Sequence, residues 1–169
     1  LSITALAYSS GKNVSFFQGA SDITGWRRNQ RVGARTMLNH NHLMASLALP
    51  AIFPPVKIRG EYFGDGAIRQ SAPLSTALHL GAKRLFVIGV SHNARDSLDP
   101  LEARVHTPTF AQIAGHLLNS SFIDAMEEDL EMLQRFNQIS QYLTPAQLDS
   151  IKIHPVDVLT ITPSIRFDE

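Results

Sequence analysis

Cysteine is absent from the 169 residues, which removes a disulfide framework, a thiolate nucleophile and a Cys-ligated zinc together. A reducing compartment is compatible with that. Net charge is missing as well, because fifteen Lys and Arg balance fifteen Asp and Glu. Without a basic surplus the chain lacks what a nucleic-acid binder uses to neutralise phosphates. No apolar run reaches the roughly 20 residues of a membrane-spanning helix. The longest, residues 42–56, is interrupted by Pro50, Pro54 and Pro55. Leu1-Ser2-Ile3-Thr4-Ala5-Leu6-Ala7-Tyr8 has neither an initiator Met nor a basic stretch before an apolar core, so no signal peptide is read there. No polar tail follows Ile165-Arg166-Phe167-Asp168-Glu169. Both ends read as cut, and the expectation is that residues 1–169 are one portion of a longer domain.

What is present is enough to build a core. Apolar residues make up 44% and charged residues 18%, which excludes wholesale disorder. Residues 3–8 and 14–17 are β-prone runs around Ser9-Ser10-Gly11-Lys12-Asn13, the pattern of a hairpin with a turn of several residues. Residues 22–35 are too polar and unperiodic to assign. Thr36 is placed to cap a helix over about 37–48, with Leu38, His42, Ala45 and Leu49 near helical spacing. Pro50 closes that helix or forces it to stop earlier. Phe53-Pro54-Pro55 reads as a rigid connector, and Val56, Ile58, Tyr62 and Phe63 flank Arg59-Gly60 as two short strands around a tight turn.

Gly64-Asp65-Gly66-Ala67 then reads as a loop. Pro73 suits the first turn of a helix running to about Leu80, ended by Gly81. Leu85 to Val90 is a near-continuous apolar run, the signature of a strand covered on both faces in a parallel sheet. Residues 91–106 are polar and loop-like. Thr107-Pro108 opens a helical pattern to about Leu143, with a break expected near Asn119-Ser120-Ser121. Its second half carries one apolar stripe, Ile123, Met126, Leu130, Leu133 and Phe136. Glu131 and Arg135 are spaced for an i,i+4 pair. Thr144-Pro145 starts a short helix, and residues 156–161 alternate as a strand does. Strands interleaved with helices give an α/β class.

Asp65 is the sharpest candidate for chemistry. Loops leaving strand ends gather functional groups in α/β proteins. Glycines on both sides of it allow a sharp turn and a close approach to the carboxylate. An isolated Asp-Gly is ordinary turn chemistry, so the surroundings decide. Ala45-Ser46-Leu47-Ala48-Leu49-Pro50-Ala51-Ile52-Phe53-Pro54-Pro55-Val56 precedes a hairpin, Gly64-Asp65-Gly66-Ala67 follows, and then come Ala72-Pro73-Leu74 and Leu80-Gly81-Ala82-Lys83-Arg84. This order resembles the patatin-like phospholipase family around its Asp-Gly-Gly or Asp-Gly-Ala motif, most closely over residues 43–91. The opening hairpin and residues 157–164 fit more loosely.

The resemblance implies part of a three-layer α/β/α sheet belonging to a lipid acyl hydrolase with a Ser-Asp dyad. Asp65 falls on the general base, and the nucleophile-bearing N-terminal half lies outside the chain. It implies a fatty-acyl ester or phospholipid substrate and no cofactor or metal. The expected setting is cytoplasmic or at a membrane surface, with the upstream half or a second copy as partner. The alternative is a catalytically silent α/β scaffold that binds lipid or protein.

A Gly-x-Ser-x-Gly elbow is absent. Gly89-Val90-Ser91-His92-Asn93 imitates it after a strand but lacks the second glycine and a following helix, and Gly19-Ala20-Ser21 fails likewise. Ser91 therefore reads as an ordinary strand-end serine, and the segment alone is expected to be inactive. No His-Glu-x-x-His pattern exists, and His40 and His42 point to different sides of a helix. His42 and His116 are read as packing or locally hydrogen-bonded. Arg27, Arg28, Arg31 and Arg35 suit phospholipid headgroups, but a solvated or salt-bridged surface is the default reading. For residues 47–53 the default is core packing, with an acyl-chain pocket as the sharper option.

Overall fold

Six short strands and one short helix carry most of the first half. In the computed structural model β1 (Ser2–Ala7) and β2 (Lys12–Phe17) form the antiparallel hairpin expected from the sequence, with Ala5 opposite Val14 and Ala7 opposite Lys12. The structure describes residues 1–70, 72–89, 107, 109–151 and 154–163. The polar stretch 91–106 and Ser91 lie outside the described residues, as do the side chains of His116 and Ile123.

The unassigned stretch 22–35 supplies β3 (Trp26–Arg27) and β4 (Arg31–Arg35). β4 runs parallel to β2, with Val14 beside Val32 and Phe16 beside Ala34. The helix α1 (His40–Ser46) is shorter than expected, and its cap is Asn39 rather than Thr36. The Asn39 side chain accepts from the Asn41 N–H at 3.0 Å, and the Asn39 N–H donates to His42 Nδ1 at 3.2 Å. His42 is buried edge-on to Phe16, with ring centroids 4.7 Å apart, so the packing role expected for it holds. Thr36 instead accepts from Arg59 Nη2 at 2.9 Å.

β5 (Val56–Ile58) and β6 (Glu61–Asp65) form the predicted tight hairpin. Arg59 (φ +49°) and Gly60 (φ +90°) both sit in the left-handed region, as a type I′ two-residue turn requires. The sheet order is β3-β4-β2-β1-β6-β5. Alternation along each strand gives this sheet two unlike faces. One carries Ala5, Ala7, Phe16, Ile58 and Phe63 and is covered in part by Ala45 of α1. On the other, Ser15 Oγ lies 2.7 Å from Thr76 Oγ1, and Trp26 stacks between Phe17 at 5.4 Å and His79 at 4.8 Å.

The chain divides into two units, Leu1–Gly81 with Leu117–Leu130, and Ala82–His116 with Glu131–Glu169. The first unit also holds a 3-10 turn (Gly66–Arg69) and α2 (Ser75–His79), the latter followed by Gly81 at φ +87°. The second unit holds a parallel pair, β7 (Arg84–Ile88) and β8 (Asp157–Ile161). β7 is not covered on both faces: Leu85 and Val87 are buried, whereas Phe86 and Ile88 are 60% and 68% exposed. The helix α3 (Phe110–Ser140) continues through Asn119-Ser120-Ser121 without the expected break. In its second half Met126 and Leu133 are buried, and Glu131 pairs with Arg135 at 2.7 Å. Asn137 clamps Val156, donating from Nδ2 to its carbonyl at 2.7 Å and accepting from its N–H at 3.0 Å. Thr144 and Gln147 cap α4 (Pro145–Ile151). Mixed strands and helices confirm the α/β class.

Candidate active-site aspartate

Asp65 is the last residue of β6, not part of a free loop. Three backbone attachments hold it. It lies opposite Ala5 in the β1–β6 ladder. Its N–H donates to the Ala48 carbonyl at 3.0 Å, tying it to the turn after α1. Its carboxylate Oδ1 accepts from the Ala67 N–H at 2.8 Å and so caps the 3-10 turn. By register it shares a sheet face with Phe63, Ala5 and Ala7. The residue is half-buried, and among the described residues its second carboxylate oxygen accepts no hydrogen bond.

The flanking glycines have a different purpose from the sharp turn expected of them, since neither has a positive φ. A Cβ at Gly66 would stand 2.5 Å from the Thr4 carbonyl oxygen, a backbone atom of β1. A Cβ at Gly64 would collide with the Tyr8 hydroxyl. Gly66 lets the 3-10 turn press against the backbone of β1, whereas Gly64 leaves room for the Tyr8 side chain.

The other sequence candidates separate from this position. Arg35 clamps a loop: Nη1 donates to Ala20 and Ile23 carbonyls at 2.6 and 2.8 Å, and Nη2 to Gly19 at 2.9 Å. Arg31 faces Asp129, whose carboxyl is raised above the ordinary 3.8 by burial, against the lowering effects of the Leu74 N–H and Arg31. Arg35 is thereby spent on the loop, whereas Arg31 Nη1 is buried with no hydrogen-bond partner among the described residues. Residues 47–53 are not core either: Leu47, Ile52 and Phe53 are 60%, 66% and 52% exposed, and only Ala48 is buried. Leu43 and Met44 on α1 are exposed beside them.

Residues 2–78 match the patatin-like phospholipase family model. The matched span takes in the opening hairpin, where the sequence resemblance was looser, and contains Asp65. It does not extend over residues 79–169. No curated protein matches the chain. What sequence reasoning missed around Asp65 is its backbone support from Ala48, Ala67 and Thr4. Main-chain partners leave no mark in residue identity, except that a glycine is required where one backbone packs on another.

Proposed function

We propose that this chain is the Asp-bearing portion of a single patatin-like α/β domain, a lipid acyl hydrolase working through a Ser-Asp dyad. Asp65 is its general base, and the serine and oxyanion donors are supplied by sequence outside the chain. The observation that carries this reading is the division of labour within one carboxylate. Oδ1 is spent on the Ala67 N–H, which orients the group, while the other oxygen is left to accept a proton. A serine hydroxyl is a poor nucleophile until a positioned base takes its proton during attack on the acyl carbonyl. The base then returns that proton to the departing alcohol. The matched family supplies the substrate class, a fatty-acyl ester or phospholipid.

The test compares the intact protein with the 169-residue chain on a p-nitrophenyl fatty-acyl ester. The intact protein is expected to turn over and the chain alone is not. Hydrolysis by the purified chain that Ser91→Ala abolishes would overturn the assignment and move the nucleophile to Ser91.

The exposed apolar side chains of Leu43, Met44, Leu47, Ile52 and Phe53 favour a second reading, a silent scaffold that binds lipid or protein. Absence of a Gly-x-Ser-x-Gly elbow from the sequence upstream of Leu1 selects the scaffold, and its presence selects the hydrolase.

A further inference from the structure

The apolar face of the six-stranded sheet is not closed by α1 along its whole length. On that face lies a cavity of about 340 Å³, within the range that holds a small organic ligand. Its floor is hydrocarbon: Val14 and Phe16 of β2, Val32 of β4, Ile58 of β5 and Phe63 of β6. Lys12, Arg27 and Arg59 stand among the same lining residues, with Glu61 as the one carboxylate. The register explains the grouping, since Lys12 precedes Val14 and Phe16 on one face of β2, and Arg27 lies opposite Val32. None of the three cations has an ion-pair partner among the described residues.

Arg59 adds an independent pointer. It occupies the first central position of the I′ turn at φ +49°, where Asn or Asp is favoured and a long side chain is held at a local cost. Its guanidinium is anchored on Thr36 Oγ1 at 2.9 Å, and among the described residues its other donors have no hydrogen-bond partner. Glu61 is engaged by the Ser9 hydroxyl instead.

We infer that this cavity binds an anionic amphiphile, a carboxylate or phosphate monoester carrying one apolar tail. The tail covers the Val14–Phe16–Val32–Ile58–Phe63 floor, and the head meets Arg27, Arg59 and Lys12. An uncharged apolar ligand would leave the cations unanswered. A simple inorganic anion would leave the partly exposed Val14 and Val32 side chains of the floor in water. The inference stands whether or not the chain belongs to a working hydrolase, because it concerns binding alone.

Isothermal titration of the intact protein tests it, with decyl phosphate, decanoate, decyl maltoside and inorganic phosphate, each amphiphile below its micelle-forming concentration. The two anionic amphiphiles are expected to bind, the tighter of them naming the head group. Inorganic phosphate and decyl maltoside are expected to bind at least about tenfold more weakly, as loss of one charged hydrogen bond or of tail burial implies. Arg27→Gln and Arg59→Gln each weaken decyl phosphate about fivefold to tenfold. Glu61→Gln tightens it, a gain that a misfolded variant cannot produce. No binding of decyl phosphate or decanoate at millimolar concentration overturns the inference. Equal affinity for decyl phosphate and decyl maltoside overturns it too, as does equal affinity for decyl phosphate and inorganic phosphate.

Discussion

The two faces of the six-stranded sheet are built from the same strands and held by different forces. On the α1 face, Ala5, Ala7, Phe16, Ile58 and Phe63 exclude water against Ala45. The opposite face joins Thr4, Ser15 and Thr76 through hydroxyls and Asn13 to Gln70 through amides, with a stacked Phe17–Trp26–His79 column beside them. Hydrophobic burial is non-directional and scales with area. A hydrogen bond contributes only about 1 kcal/mol net but demands a position. The first face therefore should supply stability and the second should supply register. Asp65 belongs to the first face, so the candidate base is mounted on the side of the sheet that apolar burial stabilises.

Three substitutions test that contrast. Phe16→Ala removes a ring that is 7% exposed and touches both His42 and Phe63. It should cost about 3–5 kcal/mol in a urea melt, and a loss under 1 kcal/mol would mean that this face does not anchor the fold. Gly66→Ala drives a methyl towards the Thr4 carbonyl, with an expected loss of about 1–3 kcal/mol by the same measurement. Ser15→Ala on the hydroxyl face should cost about 1 kcal/mol. A larger effect than that of Phe16→Ala would reverse the assignment of the two faces.

The smallest effect depends on pH. Burial raises the Asp129 carboxyl above its ordinary 3.8, so between 3.8 and the raised value the folded state holds more protons than the unfolded one. Stability from this group is therefore full at lower pH and lost as pH rises through that window. Asp129→Asn keeps an oxygen for the Leu74 N–H, which Asp129 Oδ2 accepts at 2.9 Å, and removes the buried charge. Thermal melts should show the Asn variant gaining relative to the parent on going from pH 4 to pH 7. A relative loss would show that the attraction of the Arg31 charge outweighs desolvation.

Much of this architecture was readable in the residues. Alternation and turn chemistry gave β1–β2, and Arg59-Gly60 marked β5–β6, because both hairpins are local. β4 escaped because β3 separates it in sequence from its partner β2 and its own sequence, Arg31-Val32-Gly33-Ala34-Arg35, has little apolar signal. Thr36 and Asn39 are both good caps, and only the His42 side chain reaching back to Asn39 selects the second. The break expected at Asn119-Ser120-Ser121 did not form, because residue propensities are weak beside a helix of 31 residues. At the candidate site Asp65 stood out through its glycines. The reason for Gly66 did not, because packing against Thr4 arises from a contact between residues 62 positions apart.

Most directly decisive is Asp65→Asn in the intact protein, with turnover of a fatty-acyl ester and the thermal melt followed together. The Asn side chain retains an acceptor for the Ala67 N–H but is no longer a base. The account predicts an unchanged melting temperature and a fall in kcat of at least about a hundredfold. Parental turnover in the folded Asn variant would contradict it.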